Sequence, residues 1–174
     1  LVDDQQRTSM IASYALKYRE SKVLVLSERR AHLEAIMRTI VEMEPEMVDN
    51  VGLYRGQMKP HELKQSEEKS VILGTYSIAS VGLDIRGLNT LVLATPRSDV
   101  VQACGRIQRD LSPIFPKRIV DFHDKFSVFN GQYAKRLSYY RNAEFQLLGV
   151  RTRTTFVSEE SSHTTLLGFD PTLQ

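Results

Sequence analysis

The chain has one cysteine in 174 residues, Cys104, so no internal disulfide can form. A reducing compartment is expected and secretion is not. It has no apolar run approaching the ~20 residues that cross a bilayer, which excludes a helical membrane span. Its first residues carry neither the basic start nor the apolar stretch of a signal peptide, and it opens on Leu1 rather than methionine. A piece cut from a longer protein is therefore expected. A large excess of charge of one sign is absent as well: 23 basic residues against 21 acidic ones leave +2. Affinity for a polyanion must then come from where the charges sit. A chain of this length supports one well-buried core, and two full domains are not expected.

What is present is alternation. Met10, Ile11, Tyr14, Ala15 and Tyr18 recur at helical spacing within residues 1–20. Residues 23–26 are an unbroken apolar run, as in a strand buried on both faces. Ser27 is placed to cap a helix whose Leu33, Ile36, Met37 and Ile40 share a stripe ending before Pro45. A strand over 47–54, a helix over 60–68 opened by Pro60, and a strand over 71–75 follow. Then come a loop over 77–87, a strand over 90–94, a helix over 98–109, a strand over 118–122 and a closing helix over 125–148. The last of these carries Phe126, Phe129, Tyr133, Leu137 and Tyr140 on its apolar side. Strands alternating with helices predict an α/β fold: a mostly parallel sheet covered on both faces, with ligands at the carboxyl ends of its strands. Beyond Gly149 the polar composition predicts a weakly ordered tail with one short strand near 154–157.

The residues that carry chemistry follow strands. Gln102, Arg106 and Arg109 stand at i, i+4 and i+7 of a helix whose Val100, Val101, Cys104 and Ile107 are expected to face the core. Gly105 lies beside the polar stripe. A helical glycine costs ~1 kcal/mol against alanine, and close approach of another surface or a phosphate would account for it. Two guanidiniums and a glutamine suit the charge that develops on a transferring γ-phosphate. The plain alternative is a solvated helix face. A second group is Gly74 and Thr75 closing one strand, then Gly82 and Asp84 in the next loop. Backbone amides and a hydroxyl there can meet a phosphate, and a carboxylate can accept a ribose hydroxyl; the alternative is an ordinary glycine–aspartate turn.

In this order and spacing the two groups resemble motifs V and VI of superfamily 2 helicases. Val23 to Ser27 is similar to motif IV, Tyr54-Arg55-Gly56 to the next block, Leu91 to Pro96 to the strand between motifs V and VI, and Ile119 to Asp124 to the segment after motif VI. The match spans residues 1–148, a RecA-like C-terminal lobe, with 149–174 as a tail. The resemblance implies that Arg106 and Arg109 are arginine fingers reaching an ATP held, with Mg2+, by an N-terminal RecA-like lobe, and that Gln102 couples nucleotide to nucleic acid. It places Asp84, with Gly82, at the ribose, and Ser27, Gly56, Gly74 and Thr75 along the sugar-phosphate track. Gln108 departs from the pattern, since many relatives have glycine before the final arginine.

The chain also contains no G-x-x-x-x-G-K-[ST] phosphate loop and no D-E-x-[DH] segment. Helicases of this type keep both on the first lobe, so by itself the fragment is expected to hydrolyse no ATP. The run from Val100 to Arg109 resembles phage-type and large-DNA-virus helicases related to the poxviral transcript-release factor. That implies a DNA substrate, a host-cytoplasmic or virion location, and partners in transcription or repair.

Arg29 and Arg30, with Arg55 and Lys59, could grip phosphates at the strand-end rim or be a solvated helix start. Asp121, His123 and Asp124 lack metal-site spacing, and Asp124 is expected to cap the closing helix. A stand-alone nucleic-acid-binding module without hydrolysis is the alternative function, and a protein-interaction platform built from the closing helix and tail is a third.

Overall fold

The computed structural model describes residues 2–81, 85–108, 115–124, 127–148 and the strand at 165–169. Its core is a seven-stranded, wholly parallel sheet in the order β2-β3-β1-β4-β5-β7-β6. The strands are β1 (Lys22–Ser27), β2 (Val51–Tyr54), β3 (Val71–Thr75), β4 (Leu88–Leu93), β5 (Arg118–Phe122), β6 (Gln146–Leu148) and β7 (Thr165–Phe169). The helices are α1 (Gln5–Lys17), α2 (Arg30–Met43), α3 (Pro60–Glu67), α4 (Tyr76–Val81), α5 (Val101–Gln108) and α6 (Ser127–Asn142).

The central strands are apolar at nearly every position because helices cover both faces of the sheet. Side chains alternate between the faces. Leu24, Leu26, Ile72, Leu91, Leu93 and Ile119 form one core with Cys104 and Ile107 of α5 and Tyr140 of α6. Val23, Val25, Leu73, Val92, Val120 and Phe122 form the other with Ile11 and Ala15 of α1 and Leu33, Ile36 and Ile40 of α2. No described helix is long and apolar enough to cross a membrane.

Several boundaries differ from the sequence reading, each for a local reason. Residues 47–50 are not strand: Pro45 opens a short 3-10 helix, Pro45–Asp49, and β2 begins at Val51. The expected 77–87 loop begins as helix α4, because Tyr76 is drawn into the core and its hydroxyl donates to the Thr95 carbonyl at 2.8 Å. β4 starts two residues earlier than expected, at Leu88, and α5 starts at Val101 rather than 98. Val101, expected in the core, is 50% exposed; Ala103 takes the buried position. The closing helix stops at Asn142, not 148. Glu144 adopts φ 58°, and Phe145 turns back to donate its N–H to the Tyr140 carbonyl at 2.9 Å, a left-handed helix ending. β6 follows. The strand expected near 154–157 falls outside the described residues, and a strand is found at Thr165–Phe169, between β5 and β6.

A candidate phosphate-facing rim at the strand ends

A parallel sheet gathers the carboxyl ends of its strands on one edge, where the backbone groups have no further ladder partners. Register places Ser27 beside Thr75, and Leu26 beside both Gly74 and Leu93. Ser27, Gly56, Gly74 and Thr75 therefore do share one edge. Their side chains are not equally available.

Ser27 is fully buried. Its Oγ accepts from the Arg29 N–H at 3.2 Å and lies 3.1 Å from His32 Nδ1, so the hydroxyl shapes the turn into α2. It is not the N-cap expected: Arg29 holds that position without a side-chain cap. Gly74 is buried, and a Cβ there would sit 3.2 Å from the Tyr54 carbonyl oxygen, so close strand packing explains the glycine. Thr75 pairs its hydroxyl with Ser77 at 2.9 Å.

The open part of the rim lies at the end of β2. Arg30, Arg55, Gly56, Gln57, Leu53, Met58 and Glu62 line a cleft of about 400 Å³. Arg29 and Arg30 are exposed at the start of α2, as a phosphate-gripping pair requires. Arg55 is held by Glu34 at 2.7 Å, and Arg30 reaches Gln57 at 3.4 Å. Gln57 has φ 73°, a left-handed conformation that L residues adopt at a cost, and it turns the chain sharply after Gly56.

On the other side of the edge, α5 separates its residues as the spacing predicts except at Val101, which is exposed. Ala103, Cys104 and Ile107 are in the core, Gln102 is exposed, and Arg106 is half-buried. A Cβ at Gly105 would meet nothing within 4 Å. Cys104 is fully buried, and burial pushes its thiol well up, the condition of an inert structural cysteine. Arg109, Gly82 and Asp84 lie outside the described residues.

Sequence reasoning missed two buried arginines that fix the segment leading into α5. Arg7 is 2% exposed and pairs with Asp124 at 2.5 Å. Its Nη2 donates to the Ala94 carbonyl at 3.1 Å, and its guanidinium lies over the Phe122 ring. Asp124 is therefore an ion-pair partner of α1 and not the helix cap expected, since α6 begins at Ser127. Arg136 is 1% exposed and grips Asp121 through Nε at 2.7 Å and Nη2 at 2.9 Å, while Nη1 donates to the Arg97 carbonyl at 2.8 Å. Tyr140 also donates to Asp121, at 3.0 Å. His123 stacks on Tyr133 and contacts Asn130 at 2.9 Å.

The burial of both arginines had a signal. Arg7 is four residues before Ile11, and Arg136 lies between Tyr133 and Tyr140, so both stand on apolar helical stripes; Asp121 interrupts an apolar strand. Charges at such positions need partners, and here each finds its own.

The fold is that of a RecA-like lobe, as found in solved helicase structures. It resembles the crystal structure of T4 UvsW with a TM-score of 0.64 at 17% identity, covering 97% of this chain and 35% of that one. The DUF1998 helicase MrfA bound to DNA and AMPPNP gives 0.62 at 20% identity, covering 78% and 20%. Domain 2 of the DEAD-box helicase Mss116p bound to an RNA duplex gives 0.55 at 11%, covering 97% and 60%. No protein-family model matches the chain.

In sequence it is similar to two viral proteins, each named "Putative ATP-dependent RNA helicase". One, from Acanthamoeba polyphaga mimivirus, is 40% identical over 114 residues, covering 63% of this chain. The other, from African swine fever virus, is 28% identical over 130 residues, covering 72%. The resemblance to large-DNA-virus helicases thus holds in sequence, and the fold is that of solved helicase lobes. The chain spans 20% of the length of the first relative and 26% of the second.

Proposed function

We propose that this chain is the second motor lobe of an ATP-dependent helicase or translocase acting on nucleic acid. On this reading Arg106 and Arg109 reach across to an ATP held by an N-terminal lobe and stabilise the charge that spreads over the γ-phosphoryl oxygens during transfer. Gln102 beside them senses the same nucleotide, and Asp84, after Gly82, faces its ribose. The observation that carries the reading is α5 itself: Cys104 and Ile107 anchor the helix in the core, while Gln102 and Arg106 stay out of it beside open space at Gly105. The two guanidiniums suit phosphate oxygens and cannot ligate a cation, so on this reading Mg2+ is held by the other lobe.

The strand track is the rim with Arg29, Arg30 and Gly56. Thr75 contributes at the edge, and Ser27 and Gly74 act through the shape of the turn and the packing of the strands. The subgroup resemblance points to DNA and to transcript release or repair, whereas the names of the viral relatives point to RNA. ATP hydrolysis by the full-length protein, stimulated by each polymer in turn, decides between them.

The test of the motor reading is Arg106→Ala and, separately, Arg109→Ala in that full-length protein. Each is expected to cut stimulated hydrolysis by ~10³-fold, the range of arginine fingers. An unchanged rate removes the assignment. The cleft between Arg30 and Arg55 also fits a binding module without hydrolysis. Strand binding that weakens steeply with salt, in a full-length protein that hydrolyses no ATP, is the result that favours it.

A further inference from the structure

The segment between β4 and α5 is fastened from three helices. Its carbonyls at Ala94, Thr95 and Arg97 accept, respectively, from Arg7 of α1, Tyr76 of α4 and Arg136 of α6. Thr95 Oγ1 in turn accepts from the Glu28 N–H at 2.9 Å, tying the segment to the end of β1. The Arg97 side chain reaches Glu28 at 2.7 Å and lies over the Tyr76 ring.

Ordered water can also satisfy carbonyls of this kind, at a cost of about 0–2 kcal/mol each. Two guanidiniums, at 2% and 1% exposure, are used for two of them, each neutralised by a carboxylate at the end of β5. A buried ion pair adds little net stability against apolar groups of the same volume, so stability is a weak reason for the arrangement. A guanidinium does offer a rigid planar fork, which fixes the distance and angle between the groups it bridges. Here the bridged groups are the sheet's central strand ends and the lead into the helix that carries Arg106.

We propose that Arg7, Arg136 and Tyr76 are positioning residues for nucleotide hydrolysis: they pin the 94–97 segment to the sheet and so set where α5 presents Arg106. The proposal rests on the motor reading above. Displacing a group by ~1 Å from its productive geometry can cost 10²-fold in rate.

The experiment uses the full-length protein and the triple variant Asp121→Leu, Arg136→Met, Tyr140→Phe, which replaces Asp121 and the two side chains bonded to it by apolar ones and leaves no orphaned charge. Tyr76→Phe, which deletes one hydroxyl, accompanies it in case the triple variant does not fold. The expected result is a kcat for stimulated ATP hydrolysis lowered ~10- to 100-fold in the triple variant and several-fold in Tyr76→Phe. KM for ATP and affinity for the strand are expected to stay near wild type, a split that general loss of structure does not produce.

Wild-type kcat in the folded triple variant overturns the proposal, as does wild-type kcat in Tyr76→Phe should the triple variant be unfolded. Arg106→Ala in the same assay separates the two levels of inference. If it is inactive while the positioning variants keep wild-type kcat, this inference falls and the motor reading stands. If Arg106→Ala keeps the wild-type rate, both fall.

Discussion

Removing either partner of the Arg7–Asp124 pair should destabilise this chain unequally, and the inequality should depend on pH. Both side chains are 2% exposed, and the pair ties α1 to the residue two positions past the end of β5. Asp124→Ala leaves a buried guanidinium that keeps its proton throughout the accessible range and retains the Ala94 carbonyl and the Phe122 ring but no counter-charge bonded to it. Breaking a buried pair in this way costs about 3–5 kcal/mol, a large share of the 5–15 kcal/mol that holds a domain folded.

Arg7→Met leaves a carboxylate instead, and a carboxylate can neutralise itself. Burial already pushes Asp124 up, opposed by the charge of Arg7; without that charge it rises further. A carboxyl whose folded pKa lies above its unfolded value takes up its proton first in the folded state. The Arg7→Met deficit relative to wild type should therefore shrink as pH falls from neutrality toward about 4, whereas the Asp124→Ala deficit should not. Urea unfolding of wild type and both variants at pH 7.5 and 5.5 measures this. Equal, pH-independent deficits, or deficits under ~1 kcal/mol, would refute the account of the pair.

Two further outcomes are expected. Gly105→Ala should stabilise this chain by ~0.5–1 kcal/mol, because the added methyl meets nothing and alanine is the better helix former, yet lower ATP hydrolysis in the full-length protein; thermal unfolding and an ATPase assay read the two, and undiminished hydrolysis would mean the open space goes unused. His32 is held at about 4, lowered by burial and then by the charge of Arg7. Its contribution is thus complete above ~6.5 and lost as pH falls toward 4, on the order of 3 kcal/mol. Unfolding at pH 7 and 4.5 should show a smaller drop in His32→Asn than in wild type, and an identical drop would contradict the assignment.

The elements themselves were legible because burial on two faces writes apolar runs at 23–26 and 71–73, and a third at 119–122 broken only by Asp121, and because amphipathic helices must separate them. The division of α5 was legible for the same reason: Cys104 and Ile107 fall on one side and Gln102 and Arg106 on the other. Residues whose role depends on another element were not. Asp124 read as a cap because local rules favour aspartate before a helix, and its true partner is 117 residues away in sequence. Ser27 read as a strand contact, and its hydroxyl is consumed within five residues by His32.

By itself, then, the sequence determined the alternating α/β order, the parallel sheet and the stretch of α5 that faces away from the core, since all three follow from periodicities of two and 3.6 residues. Only the tertiary structure decided which polar groups are spent inside the molecule. Arg7, Arg136, Asp121 and Asp124 are tied across the chain to the lead into α5, and no local pattern encodes a pairing between residues that meet only when the sheet is assembled.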